Sequence, residues 1–379
     1  MKLVTLFALL KATQALLVPS PPGPYHVAVK NLELVDQSRI DHFASEPNTK
    51  RRIMVSAYLP VEAHHRCKAQ VVPYMPSVTA GVFGDLGATL GIPNGTIESF
   101  NMEFCDLSTI KSKKSHRSKK EYKVAIFSPG AQGTRLVYGA MARSLASMGY
   151  IILTVDHTYE TLVVEFPDGS AAYTTTGNTS ALVMLETRTK DVSFLISQLS
   201  NKTLTDNLFA RFPGTFNPEK VAVYGHSFGG STAAVTVRRD HHVLGGLNLD
   251  GPIYGSVNHQ GFKDKPFVLV GVEGDNGLEW DEFYSKINSS KMELKFLKTQ
   301  HYAFTDVPLL LEKVNVPPES QSIIDETFGT LDGRGVEEAT NEAIVGLMDL
   351  LFANNSKTLE RIGEHANIQV LRSDLVKNS

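Results

Sequence analysis

Apolar and polar positions alternate along the chain in a way that separates short strands from longer helices. Nearly continuous apolar runs predict buried strands over residues 123–128, 150–156, 221–224, 243–249, 266–272 and 292–297. Between them, apolar residues recur at helical intervals and predict helices over 134–148, 180–199, 229–239 and 335–352. Buried strands that alternate with helices are typical of parallel sheets. The pattern therefore predicts an α/β fold with a mostly parallel central sheet and helices on both faces.

The part of the chain before residue 123 is less regular. Residues 52–60 predict an early strand, whereas 16–50 form a leading segment rich in Pro and polar residues. Residues 73–107 carry several Gly and Pro and predict an irregular insertion. Because no repeat or linker divides the chain, we expect one domain over 16–379 with an N-terminal elaboration over 16–122.

The first residues resemble a secretory signal. Met1 and Lys2 precede an apolar run that ends at Lys11, and small residues follow near position 15. We therefore expect a signal peptide over 1–15. No segment has the roughly 18 uninterrupted apolar residues that a membrane-spanning helix needs.

The overall charge of −3 gives no indication of a nucleic-acid partner. Basic residues are concentrated over 111–120. This run is typical of a solvated loop, and a contact with anionic lipid head groups is the alternative.

Cysteines and glycosylation sequons agree with a secreted protein. An isolated pair of cysteines, Cys67 and Cys105, predicts one disulfide, with two buried free thiols as the alternative. A four-ligand zinc motif is absent from the sequence. Asn-X-Ser/Thr sequons occur at five positions, namely Asn94, Asn178, Asn201, Asn288 and Asn354. Together with the leader, these features predict a secreted glycoprotein.

The most informative motif is Gly-His-Ser-Phe-Gly over residues 225–229. It follows an apolar strand and precedes a predicted helix, which is the strand–turn–helix context of a nucleophile elbow. Glycines on both sides leave room for the tight turn that carries the serine. The motif predicts Ser227 as a nucleophile, and the alternative is an ordinary serine in a structural turn.

A serine nucleophile needs a histidine base and an acid that orients the histidine. His301 follows the strand over 292–297 and is the preferred base, with His259 second. Asp250 and Asp275 each follow a strand, so both are candidate acids, and the pattern alone slightly favours Asp275.

An oxyanion hole requires two backbone N–H groups that point at the developing negative charge. The residue after the nucleophile, Phe228, is expected to supply one. The loop after the strand over 123–128 is expected to supply the other, and Ala131 is the preferred donor.

Several stretches together resemble the secreted platelet-activating-factor acetylhydrolase family, of the group VII phospholipase A2 type. They are residues 225–230, 247–252, 156–160, 166–169 and 301–306, and the resemblance extends over about residues 50–350. It implies an α/β-hydrolase fold, Asp250 rather than Asp275 as the acid, and Ala131 as the second oxyanion donor.

The resemblance also implies a serine esterase that uses no metal or organic cofactor. Its expected substrates are phospholipids similar to platelet-activating factor, with a short or oxidised sn-2 acyl chain. A transient contact with a lipid surface is an expected partner interaction. A broad carboxylesterase or a cutinase-like polyester hydrolase is the alternative enzyme, and a non-catalytic binding module is the alternative outside enzymes.

Overall fold

A computed structural model describes residues 16–110, 119–274 and 280–376. Its strands are β1 (Leu16–Leu17), β2 (His26–Ile40), β3 (Lys50–Val61), β4 (Lys68–Pro73), β5 (Phe100–Asp106), β6 (Lys120–Ser128), β7 (Tyr150–Asp156), β8 (Val163–Glu165), β9 (Ala171–Tyr173), β10 (Gly214–His226), β11 (Val243–Leu249), β12 (Phe267–Val272), β13 (Lys291–Phe296) and β14 (Ile368–Asp374). Its α-helices are α1 (Ser77–Thr89), α2 (Thr96–Ser99), α3 (Gly139–Ser147), α4 (Ala181–Gln198), α5 (Lys202–Leu208), α6 (Phe228–Arg239), α7 (Val257–Gln260), α8 (Asp281–Lys286), α9 (Val307–Leu311), α10 (Gln321–Phe328), α11 (Gly333–Ala353) and α12 (Lys357–Arg361).

Nine of these strands form one large sheet in the order β14-β13-β12-β11-β10-β6-β7-β3-β2. The six central strands, from β13 to β7, run parallel, and the outer strands β14, β3 and β2 pair antiparallel. The prediction of a mostly parallel α/β sheet is confirmed.

Helices cover both faces of this sheet, as the strand residues show. On β6, Val124 and Ile126 pack into a core that contains residues of α4 and α6, such as Val192 and Ala233. The alternate residues of the same strand pack into a second core with residues of α3 and α11, such as Leu145. Because side chains alternate between the two faces of a strand, an apolar run buries one core on each side.

The prediction was least successful at the edges of the sheet. The leading segment contains β2, a fifteen-residue strand, and the C-terminal tail contains β14. Each is an outermost strand with many exposed side chains, so neither carries the apolar run that marks a central strand. The insertion expected to be irregular includes the regular elements α1 and β5.

A small second sheet, in the order β1-β5-β4, lies in the N-terminal part. The structure contains the disulfide between Cys67 and Cys105, whose Cα atoms are 5.5 Å apart. Cys105 lies in β5, and Cys67 directly precedes β4, the strand that pairs with β5, so the bond connects the start of β4 with its neighbour.

Some predicted features lie outside the described residues: the signal peptide over 1–15, Asp275, and the greater part of the basic run, residues 111–118. Among the residues that are described, none of the helices combines the length and the apolar character needed to cross a membrane.

Candidate active site

Ser227 occupies the sharp turn between β10 and α6. Its backbone φ is +54°, a conformation that is strained for a residue with a side chain. A Cβ atom at Gly225 would lie 2.2 Å from the carbonyl oxygen of Gly229, and one at Gly229 would lie 2.0 Å from that of Ser128. The two glycines are therefore required for the turn, as a nucleophile elbow demands.

The structure brings Ser227, His301 and Asp250 together. The Nε2 atom of His301 lies 2.9 Å from Ser227 Oγ, and its Nδ1 atom lies 2.6 Å from Asp250 Oδ2. Asp250 is fully buried, whereas the side chain of His301 is 35% exposed. The arrangement leaves the imidazole accessible from solvent on one side and fixed by a buried carboxylate on the other.

A local turn aims the carboxylate of Asp250 at the histidine. Asp250 follows β11 and has a φ of +51°. The amide of Asn248 braces this turn, since it accepts from the N–H of Gly251 at 2.9 Å and donates to the carbonyl of Gly251 at 2.7 Å. Asn248 fits only because Gly230 has no side chain, as a Cβ there would lie 1.7 Å from the Asn248 Oδ1 atom.

The segment that carries His301 is anchored through Asp306. The Asp306 carboxylate accepts hydrogen bonds from the Tyr74 hydroxyl at 2.8 Å and from the N–H groups of Ala140 and Met141 at 2.7 and 3.0 Å. Burial raises the pKa of Asp306 to about 7, and the two N–H groups act in the opposite direction. These contacts hold the loop after β13 against the start of α3.

The loop after β6 lies beside the nucleophile. A Cβ atom at Gly130 would lie 3.4 Å from Ser227 Cβ. The N–H of Gly130 donates to the Tyr138 hydroxyl at 3.3 Å. Within the described parts of the chain, the N–H groups of Ala131 and Phe228 donate to no protein acceptor, so both are available to an oxyanion.

His259, the second candidate for the base, and His242, another histidine after Ser227 in the sequence, are engaged elsewhere. His259 is exposed and pairs with Glu282 at 2.7 Å. His242 pairs with Asp240 at 2.9 Å and with Glu219 at 3.2 Å, on the side of the sheet where β11 begins. Of these histidines, only His301 contacts Ser227.

Comparison with known proteins gives the family of the chain. The family described as platelet-activating factor acetylhydrolase, isoform II, matches residues 13–202, half of the chain. The chain belongs to this family. It is a carboxylic ester hydrolase, which argues against the alternative of a non-catalytic binding module.

Two similar proteins have names that agree with this family assignment. A protein of Arthroderma benhamiae described as "Probable 1-alkyl-2-acetylglycerophosphocholine esterase" is 29% identical over 316 residues, which cover 78% of each chain. The platelet-activating factor acetylhydrolase of Cavia porcellus is 28% identical over 203 residues, which cover 48% of this chain and 45% of that enzyme.

A solved structure shares the fold of this family member. The ferulic acid esterase of Streptomyces cinnamoneus superposes with a TM-score of 0.74 and covers 94% of this chain and all of its own. Since the two sequences are 23% identical, the likeness establishes the fold alone. The expected α/β-hydrolase fold is confirmed.

His226, to which the sequence motifs assigned no role, connects two parts of the site. Its Nδ1 atom lies 2.8 Å from the Tyr138 hydroxyl, and its Nε2 atom lies 2.9 Å from the carbonyl oxygen of His301. Burial lowers the pKa of His226 well below its ordinary value, and the nearby His301 lowers it further. Its position inside the elbow motif was the only sequence signal for this role.

The neutral state of His226 predicts acid sensitivity. In the unfolded chain the imidazole takes up a proton near pH 6.5, whereas the folded protein resists it to lower pH. The stability from this group is therefore present above about pH 6.5 and lost as the pH falls toward the folded pKa. We expect the decline of the melting temperature from pH 7 to pH 5 to be shallower in His226→Gln than in wild type.

The experiment compares the slope of melting temperature against pH in wild type and in His226→Gln, because other buried groups also titrate. Burial lowers the pKa of His157 in the same sense, whereas the raised pKa of Asp306 has the opposite effect on stability. Melting curves followed by circular dichroism at several pH values give both slopes. Equal slopes would show that His226 does not contribute to the loss of stability at acidic pH.

Two surface groups bring potential metal ligands within 4.8 Å of one another, namely Glu62 with His64 and His65, and Asp240 with His241 and His242. Neither includes a residue of the Ser227 site.

Proposed function

We propose that Ser227, His301 and Asp250 are the nucleophile, the base and the acid of a serine esterase. The observation that carries the proposal is the continuous hydrogen-bonded chain from Ser227 Oγ through His301 to Asp250, with contacts of 2.9 and 2.6 Å. Such a chain activates a hydroxyl that is otherwise a poor nucleophile at neutral pH.

The reaction proceeds in two halves. His301 Nε2 accepts the Ser227 proton as Oγ attacks the ester carbonyl, and the N–H groups of Phe228 and Ala131 bind the resulting oxyanion. The C–O bond to the leaving group then breaks, and His301 returns the proton to the departing alcohol. Water, deprotonated by His301, then attacks the acyl carbon. The bond from that carbon to Ser227 Oγ breaks, His301 returns the proton to Oγ, and the carboxylic acid is released. Asp250 keeps His301 in the required tautomer throughout.

We propose a phospholipid similar to platelet-activating factor, with a short or oxidised sn-2 acyl chain, as the substrate. The names of the relatives support this class. Exposed apolar side chains near the triad also fit an amphiphilic substrate. The ring of Tyr302 is 5.2 Å from that of His301, the ring of Tyr254 is 5.8 Å from that of Phe228, and both tyrosines are about half exposed.

The substrate proposal predicts a steep dependence on acyl length. We expect kcat/KM for phosphocholine lipids to be highest with sn-2 acetyl and to fall as the chain extends through butyryl to palmitoyl. Matched esters without the phosphocholine head measure what the head contributes, and Ser227→Ala gives the background rate. Preference for long-chain triglycerides or polyester films would overturn the substrate class and favour a broad carboxylesterase or polyester hydrolase.

We further propose that the protein is secreted and glycosylated. The disulfide fits an oxidising compartment. The asparagines of the five sequons are exposed, as a glycan acceptor must be: Asn94, Asn178, Asn201, Asn288 and Asn354.

A further inference from the structure

A buried arginine of α4 contacts residues 129–133, the loop after β6, which is called the oxyanion loop below. Arg188 is 1% exposed. Its guanidinium donates to the carbonyl oxygens of Pro129 at 2.7 Å and Gly130 at 3.0 Å. It also lies 4.9 Å from the centre of the Phe228 ring. One side chain thus contacts the loop that holds Ala131 and the residue that supplies the other donor.

These contacts fix the direction of the N–H groups in the loop. In a trans peptide the C=O and the following N–H point in opposite directions. The carbonyl of Pro129 points to Arg188, and the N–H of Gly130 points away, to the Tyr138 hydroxyl. The next carbonyl, of Gly130, also points to Arg188. The N–H of Ala131 must therefore point away from the arginine.

Gln132, near the other end of the oxyanion loop, is connected to Arg188 through Glu160. Glu160 is 3% exposed and forms an ion pair with Arg188. Its other carboxylate oxygen accepts from the N–H of Gln132 at 3.0 Å. Replacing a buried ion pair by apolar side chains is often neutral for stability. The pair is therefore weak evidence of a role in stability, whereas its contacts connect Arg188 with the N–H of Gln132 in the loop.

We propose that Arg188 is a positioning residue that orients the N–H of Ala131 toward the oxyanion. The proposal rests on the proposed function, because it requires Ala131 to be an oxyanion donor. Arg188 itself does not touch the substrate. It acts by holding two consecutive carbonyls, which takes the fork of donors that a guanidinium presents.

The first test is Arg188→Lys. Lysine keeps the charge but presents one ammonium group, so it cannot hold both carbonyls in the fork geometry. We expect kcat to fall roughly tenfold to a hundredfold, less than the hundred- to thousandfold that follows complete loss of an oxyanion donor. KM should change little, because the N–H of Ala131 acts mainly on the transition state. Rates are normalised to active sites titrated with a fluorophosphonate.

Arg143→Lys is the matched control. Arg143 is 2% exposed and likewise donates to backbone carbonyls, those of Val18 and Pro19, but it does not contact the oxyanion loop. We expect this variant to lose thermal stability and to keep its kcat. An equal loss of kcat in the two lysine variants would show that the effect of Arg188→Lys is only structural.

The decisive test is a double-mutant cycle with Ala131→Pro, because proline has no N–H to donate. If Arg188 acts through Ala131, then Arg188→Lys lowers kcat much less in the proline background than in wild type. The same loss in both backgrounds, or a wild-type kcat in Arg188→Lys, would overturn the proposal.

If Arg188→Lys folds poorly, Glu160→Gln provides a second test of the role of Arg188. It keeps the shape of the side chain and removes the charge that anchors Arg188, so we expect a smaller loss of kcat that is also absent in the proline background. A wild-type kcat in Ala131→Pro would remove Ala131 as a donor and overturn the role of Arg188. Only activity that persists in Ser227→Ala would overturn the esterase mechanism itself.

Discussion

Replacement of Ser227 by alanine should lower kcat by about a million-fold, as in comparable triads. The change removes the only atom that forms the acyl-enzyme in the proposed mechanism. Folding should be unaffected, because alanine can occupy the same turn as serine. The measurement is the initial rate with an acetyl ester and with a short-chain phospholipid, together with the melting temperature.

Ser128→Ala is a demanding control, because Ser128 also belongs to a Ser–His–Asp chain. Its Oγ atom lies 2.9 Å from His157 Nε2, and His157 Nδ1 lies 2.9 Å from Asp191. All three side chains are fully buried, so no ester can reach them. We expect Ser128→Ala to cost about 1–3 kcal/mol of stability, since it leaves a buried ring nitrogen unpaired. It should keep most of its turnover, because Arg188 loses only a 3.4 Å contact with Ser128 Oγ and keeps its shorter hydrogen bonds to the carbonyls of Pro129 and Gly130.

Comparison of Ser227→Ala with Ser128→Ala tests whether a Ser–His–Asp chain is sufficient for turnover or must also be accessible to the substrate. Both serines have the partners of a catalytic triad, but only Ser227 is in contact with a partly exposed histidine. Near-normal turnover in Ser227→Ala would exclude the proposed nucleophile. Loss of turnover in both variants, with wild-type melting temperatures, would contradict the distinction.

The central strands could be predicted because each is buried on both faces. The observed β7 and β11 have the bounds predicted for them, 150–156 and 243–249. The outermost strand β2 could not be predicted in the same way. Many of its side chains are exposed, and its place in the sheet depends on pairing with β3.

The tight turn that carries Ser227 could be predicted from the sequence because the elbow motif is local. The aspartate that contacts His301 could not be predicted from the strand pattern, because Asp250 and Asp275 both follow strands that end at the same edge of the sheet. The turn that contains Asp250 is closed by hydrogen bonds between the amide of Asn248 and the backbone of Gly251. The supporting residues were missed for another reason. Arg188 lies 58 positions from Gly130 and Tyr138 lies 88 from His226, so only the folded chain brings them together.

Replacement of Asp250 by asparagine should lower kcat by about ten-thousandfold while leaving the side-chain shape unchanged. The carboxylate accepts a hydrogen bond from His301 Nδ1, which leaves Nε2 free to take the Ser227 proton. An amide can present its NH₂ group to Nδ1 instead, which favours the tautomer with the proton on Nε2. It also removes the negative charge that stabilises the imidazolium.

Asp275→Asn is the matched control, because Asp275 follows the neighbouring strand β12 and was the acid that the sequence pattern slightly favoured. We expect Asp275→Asn to retain turnover, since the 2.6 Å contact of His301 Nδ1 is with Asp250. A large loss in Asp275→Asn with little loss in Asp250→Asn would transfer the role of the acid to Asp275.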